Sequence, residues 1–131
     1  MRRRPIAVMA TLLIGSALSV SPGLTTAAQA SWEQCQSGRL CGWHQNAYRG
    51  EYNRYTNNFN DLQSNSDEWN SIRNRSKVAW LVFEDEGYKG TVRCIRPGKG
   101  SRNLKSVDLK DKISSIKKRT VANCSDYVQI G

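Results

Sequence analysis

The chain has 131 residues, with 20 Lys plus Arg against 11 Asp plus Glu, a single His and four Cys. That length gives room for about one domain and little for a multidomain enzyme. The basic balance leaves anionic partners open and says nothing about the fold.

Residues 1–30 read as a secretory leader: basic Arg2-Arg3-Arg4, an apolar run from Ile6 to Leu18, and the small-residue pattern Ala28-Gln29-Ala30, after which cleavage is expected. The apolar run falls short of the roughly 20 residues of a membrane-spanning helix, and no later segment approaches that length. The rest, 31–131, is expected to be a secreted, extracellular domain without a membrane span. Without the three leader arginines it keeps 17 basic against 11 acidic residues, a net +6.

A domain this small buries only about two thirds of its unfolded surface, so covalent help is expected. All four cysteines, Cys35, Cys41, Cys94 and Cys124, lie in it, and in an oxidising compartment paired thiols are the default. Three connectivities are possible. The favoured one joins Cys35 to Cys41, close in sequence, and Cys94 to Cys124, a long loop whose closure stabilises by about 3 to 4 kcal/mol in the chain-entropy model. The close Cys-x-x-Cys pairs of a zinc site are absent.

From Trp43 onward the chain repeats itself. Trp43-His44-Gln45-Asn46-Ala47-Tyr48-Arg49-Gly50 aligns with Phe83-Glu84-Asp85-Glu86-Gly87-Tyr88-Lys89-Gly90, each an aromatic, four residues, Tyr, one residue and Gly. Ser71-Ile72-Arg73-Asn74-Arg75-Ser76 then aligns with Ser115-Ile116-Lys117-Lys118-Arg119-Thr120. Two matches in one order with similar gaps indicate two copies of a supersecondary unit, at about 39–76 and 79–120. Each motif predicts a folded hairpin in which the first aromatic packs near the Tyr ring and Gly50 or Gly90 takes a positive φ. The serines Ser71 and Ser115 are expected to tie these hairpins down by side-chain to backbone hydrogen bonds. Between them, 57–70 is polar and predicts a loop or one short helical turn. Val78-Ala79-Trp80-Leu81-Val82-Phe83 predicts a buried strand, and Ser115 to Val121 a weaker one. Turn pairs such as Glu86-Gly87 and Pro97-Gly98 punctuate the chain, and no window shows sustained helical spacing.

These two hairpin motifs, each followed by its serine, resemble the Greek-key signature of the βγ-crystallins over nearly the whole of 31–131. The resemblance implies an all-β sandwich of two four-stranded Greek-key motifs, here stapled by disulfides. With the opening Cys35-Gln36-Ser37-Gly38-Arg39-Leu40-Cys41, the chain more specifically resembles the bacterial secreted metalloproteinase inhibitors of crystallin-like fold. That implies a peptidase inhibitor whose partner is an extracellular, zinc-dependent protease. It also implies a reactive bond in an exposed loop joining a disulfide-bonded Cys to a β-branched residue, matched by Cys94, Ile95 and Arg96; the residues read equally well with Cys94 as an ordinary staple in a strand and Ile95 in the core. A disulfide at Cys94 would preorganise such a loop and lower the entropy lost on binding. No second Cys follows shortly after Cys94, unlike the family pattern.

Crystallin-like domains also often bind calcium through two Asp or Asn positions, two variable residues, then Ser or Thr, and Ser. The matching segments run Ser66-Asp67-Glu68-Trp69-Asn70-Ser71 and Lys110-Asp111-Lys112-Ile113-Ser114-Ser115. Ser66 and Lys110 stand where an acidic oxygen is wanted, and Lys112 adds a positive charge, which counts against a site needing six to eight oxygens. If calcium binds, Asp67, Ser71, Asp111 and Ser115 are the expected contributors; otherwise no cofactor is expected.

An enzyme is not expected. His44, the lone histidine, fills a variable slot of the hairpin, and Glu84-Asp85-Glu86 are neighbours on one turn rather than carboxyls facing across a substrate. Lys117, Lys118 and Arg119 leave open a second reading, attachment to an anionic cell surface or wall with toxin-like action, although strand alternation would split the cluster between two faces. Nucleic acid is not the expected partner, since it would have to lie outside the cell.

Overall fold

A computed structural model describes residues 31–131; the leader expected at 1–30 lies outside the described residues. Seven strands form: β1 (Leu40–Gln45), β2 (Arg49–Tyr55), β3 (Ser71–Asn74), β4 (Trp80–Asp85), β5 (Lys89–Ile95), β6 (Gly100–Ser101) and β7 (Ser115–Lys118). The helical segments among the described residues are short 3-10 turns, one of which, Gln63–Asn65, falls in the polar 57–70 loop. No helix among them is long and apolar enough to cross a membrane.

The strands make two antiparallel sheets, ordered β2-β1-β3-β6 and β5-β4-β7. The two copies exchange segments. Strand β6, which follows the second hairpin, pairs with β3 of the first copy through Ile72 and Ser101. Phe59, from the first copy, bridges to Ile116 of β7, with N–H to O distances of 3.0 and 2.9 Å in the two directions. The second sheet thus has three strands and a one-residue fourth, where the resemblance implied a full strand. Neither copy completes its sheet alone, so the two form one structural unit.

Strand alternation sorts the side chains. On β4, Trp80 and Val82 face the space between the sheets, where they join Leu40, Trp69, Ile72, Ile95, Leu109, Ile113 and Ile116 in the main core. Leu81 and Phe83 point the other way, into an outer cluster with Cys94 and Cys124. The outer side of the first sheet carries the matching cluster of Cys35, Cys41, Trp43 and Tyr48. Each outer cluster is flanked by a terminal arm held by a disulfide, Cys35–Cys41 at one end and Cys94–Cys124 at the other. The favoured connectivity is the one formed.

Both hairpins are built as the motif predicts. Trp43 and Tyr48 meet edge to face at 5.1 Å, and Phe83 and Tyr88 at 5.6 Å. Gly90 has φ +78°, and a Cβ there would lie 2.5 Å from an Asp85 carboxylate oxygen. The two tyrosines themselves also take positive φ, 59° at Tyr48 and 60° at Tyr88, which the motif alone does not reveal. The serines hold them there. Ser71 Oγ donates to Gln45 O at 2.7 Å and accepts from the Tyr48 N–H at 3.0 Å; Ser115 Oγ donates to Asp85 O at 2.6 Å and accepts from the Tyr88 N–H at 3.1 Å.

On β1, Gly42 leaves room for the Trp69 indole, and a Cβ at that position would sit 2.1 Å from the ring. Gly42→Ala is therefore expected to lower stability by about 1 to 3 kcal/mol, the range for overpacking a filled core. A denaturant midpoint equal to that of the parent would show that Trp69 can move aside freely.

Candidate functional site

Strand β5 leaves the core at Ile95, and the chain turns through Arg96-Pro97-Gly98-Lys99 before entering β6. Pro97 and Gly98 form the corners, with Gly98 at φ +74° and the Lys99 N–H bonded to Arg96 O at 3.0 Å, the chemistry of a Pro-Gly turn. Arg96, Gly98 and Lys99 are exposed.

This turn is held from below by one buried residue, Asn74. Its backbone N–H donates to Lys99 O at 2.8 Å and its carbonyl accepts from the Gly98 N–H at 2.8 Å. Its side-chain Nδ2 donates to Ile95 O at 2.9 Å and Val78 O at 2.8 Å. Its Oδ1 accepts from Ser76, from the backbone N–H at 2.9 Å and the hydroxyl at 2.7 Å. A buried amide with every bond made fixes the backbone around it. The equivalent position in the second copy is Lys118, so this support exists on one side of the pseudo-symmetric domain only.

Of the three residues expected in an exposed inhibitory loop, only Arg96 is exposed. Cys94 and Ile95 have no accessible surface, which corrects the reading of Cys94–Ile95 as an exposed reactive bond. The reason lies in the strand register. Trp80 pairs with Ile95, so the Ile95 side chain shares the inward face with Trp80 and enters the main core. The C-terminal arm runs alongside as a further, parallel partner: Cys94 N–H donates to Val128 O at 2.8 Å, and Ile130 N–H donates to Cys94 O at 2.9 Å. The carbonyl that a protease would have to polarise is therefore already bonded within the fold.

The calcium contributors are not brought together as a ligand set. Ser71 and Ser115 are fully buried, and each hydroxyl is used as donor and acceptor in its hairpin. Asp67 and Asp111 line one acidic hollow of about 470 Å³ with Glu84, Asp85, Glu86, Lys112 and Ser114. Within it, Ser114 Oγ donates to Asp67 at 2.9 Å, an oxygen pair that suits a hard cation. At Asp111 the neighbour is the Asn70 amide N–H at 2.9 Å. That hydrogen faces the carboxylate where a cation would need an oxygen. Among the described residues, no three His, Cys, Asp or Glu side chains are grouped so as to hold a metal ion by themselves. Lys112 turns to Asp108 at 3.1 Å, the one ion pair among the described residues. His44 is half-buried, with Nε2 3.2 Å from Asn53 Oδ1.

A model of peptidase inhibitor family I36 matches residues 28–95, and so ends at the last residue of β5. No curated protein matches the chain by sequence. Several solved structures are similar in fold. One, described as "Evolution of the eye lens beta-gamma-crystallin domain fold", shares 21% identity at TM-score 0.61, over 66% of this chain and 90% of that one. A beta gamma crystallin from Ciona intestinalis shares 26% identity at TM-score 0.56, over 63% of this chain and 100% of that one. Spherulin 3A from Physarum polycephalum shares 20% identity at TM-score 0.55, over 69% of this chain and 90% of that one. The βγ-crystallin sandwich implied by the two motifs is thus the fold observed.

Two measurements test this geometry. Ile95→Ala is expected to cost about 2 to 5 kcal/mol in urea unfolding, as for other buried Ile to Ala changes, whereas Arg96→Ala should leave the midpoint in place; a neutral Ile95→Ala would return Ile95 to an exposed loop. Millimolar calcium is expected to raise Tm by less than about 2 °C, and a much larger rise would show that the Asp67 hollow closes around the ion.

Proposed function

The chain belongs to peptidase inhibitor family I36, and we propose that the peptidase it blocks is an extracellular zinc-dependent protease, met after export of residues 31–131. The family match carries the inhibitory role. The export reading is supported by the leader-like 1–30 and by two disulfides, which persist in oxidising compartments. The zinc-dependent class rests on the resemblance of the two hairpin motifs and the Cys35 to Cys41 opening to secreted metalloproteinase inhibitors.

The contact we assign to the protease is the Arg96–Lys99 turn. It is exposed, cationic at both ends and held by a fully bonded Asn74, so docking it would freeze few new degrees of freedom. Attack at Cys94–Ile95 would instead require pulling Ile95 out of the core and stripping the Ile130 N–H from Cys94 O. The turn contains Arg96–Pro97, a tertiary amide lacking the N–H that an ordinary scissile amide presents. Obstruction by a rigid turn therefore fits this structure better than cleavage at the Cys94–Ile95 bond.

The test is titration of the oxidised protein against a thermolysin-like metalloprotease, with a serine protease in parallel and zinc kept saturating. Stoichiometric inhibition of the metalloprotease alone is expected; inhibition of only the serine protease would overturn the target class. Arg96→Glu with Lys99→Glu should weaken inhibition by about tenfold or more at unchanged Tm, as for charges at the centre of an interface. Full inhibition by this double variant would move the contact off the turn. Asn74→Ala, which leaves several buried groups unpaired, should lower both stability, by about 3 kcal/mol, and inhibition.

A further inference from the structure

The two halves of the domain place the same pair of cations on their outer faces, and they fill the space beside them differently. In the first copy the pair is Arg73 and Arg75, two residues apart on and just after β3. Both guanidinium groups lie over the Trp32 ring, at 4.6 and 5.0 Å from its centre. Trp32 belongs to the N-terminal arm, which Cys35–Cys41 tethers and which Arg75 also grips through a bond from Nη1 to Cys35 O at 2.6 Å. One indole, followed in sequence by Glu33, thus occupies the site between the two arginines.

In the second copy the corresponding residues are Lys117 and Arg119. The C-terminal arm repeats part of the arrangement: Arg119 donates to Asn123 O and lies 5.2 Å from the Tyr127 ring centre. Lys117 does not share that ring. Its ammonium lies 5.4 Å from the centre of the Tyr88 ring, and between the two cations and the two tyrosines a groove of about 410 Å³ is open, floored by Leu81 and Phe83. Lys118 and Thr120 also line the groove, the Lys118 ammonium lying 3.5 Å from Thr56 O. Neither Lys117 nor Arg119 has a carboxylate within ion-pair distance among the described residues.

We propose that this groove receives an aromatic side chain flanked by a carboxylate, presented by a segment of a partner protein. The first copy shows what fits between such cations, an indole on a short peptide arm. The two unpaired positive charges add a preference for an acidic neighbour, and the half-buried rings of Tyr88 and Tyr127, above the buried Leu81 and Phe83, supply the surface an aromatic side chain can cover. A second cation–π contact, at Lys117, would be completed by that ring, as Arg73 completes the one at Trp32. The inference is independent of the inhibitory turn, which lies at the other end of β5 from Tyr88, and can fail or hold without it.

The probe is a blocked tetrapeptide of residues 31–34, Ser-Trp-Glu-Gln, titrated into the purified, oxidised, isotope-labelled protein while amide and tyrosine ring signals are followed. Saturable shifts are expected at Leu81, Phe83, Tyr88, Lys117, Arg119 and Tyr127. They should vanish with Ser-Ala-Glu-Gln and weaken about fivefold with Ser-Trp-Gln-Gln or with Lys117→Gln, an exposed position whose loss of one cation is on that scale. Arg54→Gln, an exposed charge on β2, should leave the titration unchanged. The absence of saturation, equal shifts from the alanine peptide, or shifts centred on Arg73 and Arg75 would each overturn the proposal. So would a short oligothymidylate that perturbs the same groove at lower concentration than the peptide, since it would reassign the groove to single-stranded nucleic acid.

Discussion

The rest of this structure depends on a serine hydroxyl placed under each folded hairpin. A tyrosine at positive φ is unfavourable by roughly 1 to 2 kcal/mol, and two such residues would unfold their hairpins if nothing opposed them. Ser71 and Ser115 oppose them by accepting the tyrosine N–H and donating to a carbonyl on the hairpin's first limb, in both cases from full burial. The same bonds fix β3 and β7 beside β1 and β4. From this follow the position of each Tyr ring over the outer face of its sheet and the cation pair that projects from the strand behind the serine.

On that shared frame the halves have diverged where they meet the chain ends. The first copy spends its outer face on the N-terminal arm, which brings Trp32 over two arginines and Gln34 Oε1 to within 3.1 Å of the Trp43 indole N–H. The second uses the C-terminal arm to cover Cys94 and to pair with the end of β5, leaving its cations partly uncovered. The inner divergence is at Asn74 and Lys118. Asn74 can bury itself and bond four backbone and side-chain groups. Lys118 must keep its charge in solvent, so no comparable turn is held on that side.

The repeat made much of the fold legible in the sequence. The aromatic, Tyr and Gly spacing and the serine that follows are local requirements of one hairpin, and they appear twice. The disulfide pairs were accessible for a related reason, since each closes an arm onto the copy beside it. What the sequence concealed is set by register and by contact across the chain. Cys94-Ile95-Arg96 reads equally well as a loop or as the end of a strand; only the pairing of Ile95 with Trp80, and the arm bonded to Cys94, decide for the strand. Asn74 looked like one variable residue within a repeated segment, because its role needs Lys99, Gly98 and Ile95 brought in from more than twenty residues away. Trp32 gave no signal at all, as its partners Arg73 and Arg75 are some forty residues distant.

The disulfide between Cys94 and Cys124 ties the turn to the arm that carries Tyr127. A bond at Cys94 alone would anchor one side of the Arg96–Lys99 turn. By holding Cys124 it also fixes the entry to residues 128–130, where Val128 O and the Ile130 N–H pair with Cys94 near the end of the open edge of β5. An unpaired strand edge next to the turn proposed to meet the protease would invite that enzyme to bind β5 as an extended substrate, through the backbone bonds such a strand offers. Pairing Cys94 closes that edge where β5 meets the turn, and keeps the backbone directly behind the proposed contact out of the extended pairing that cleavage needs.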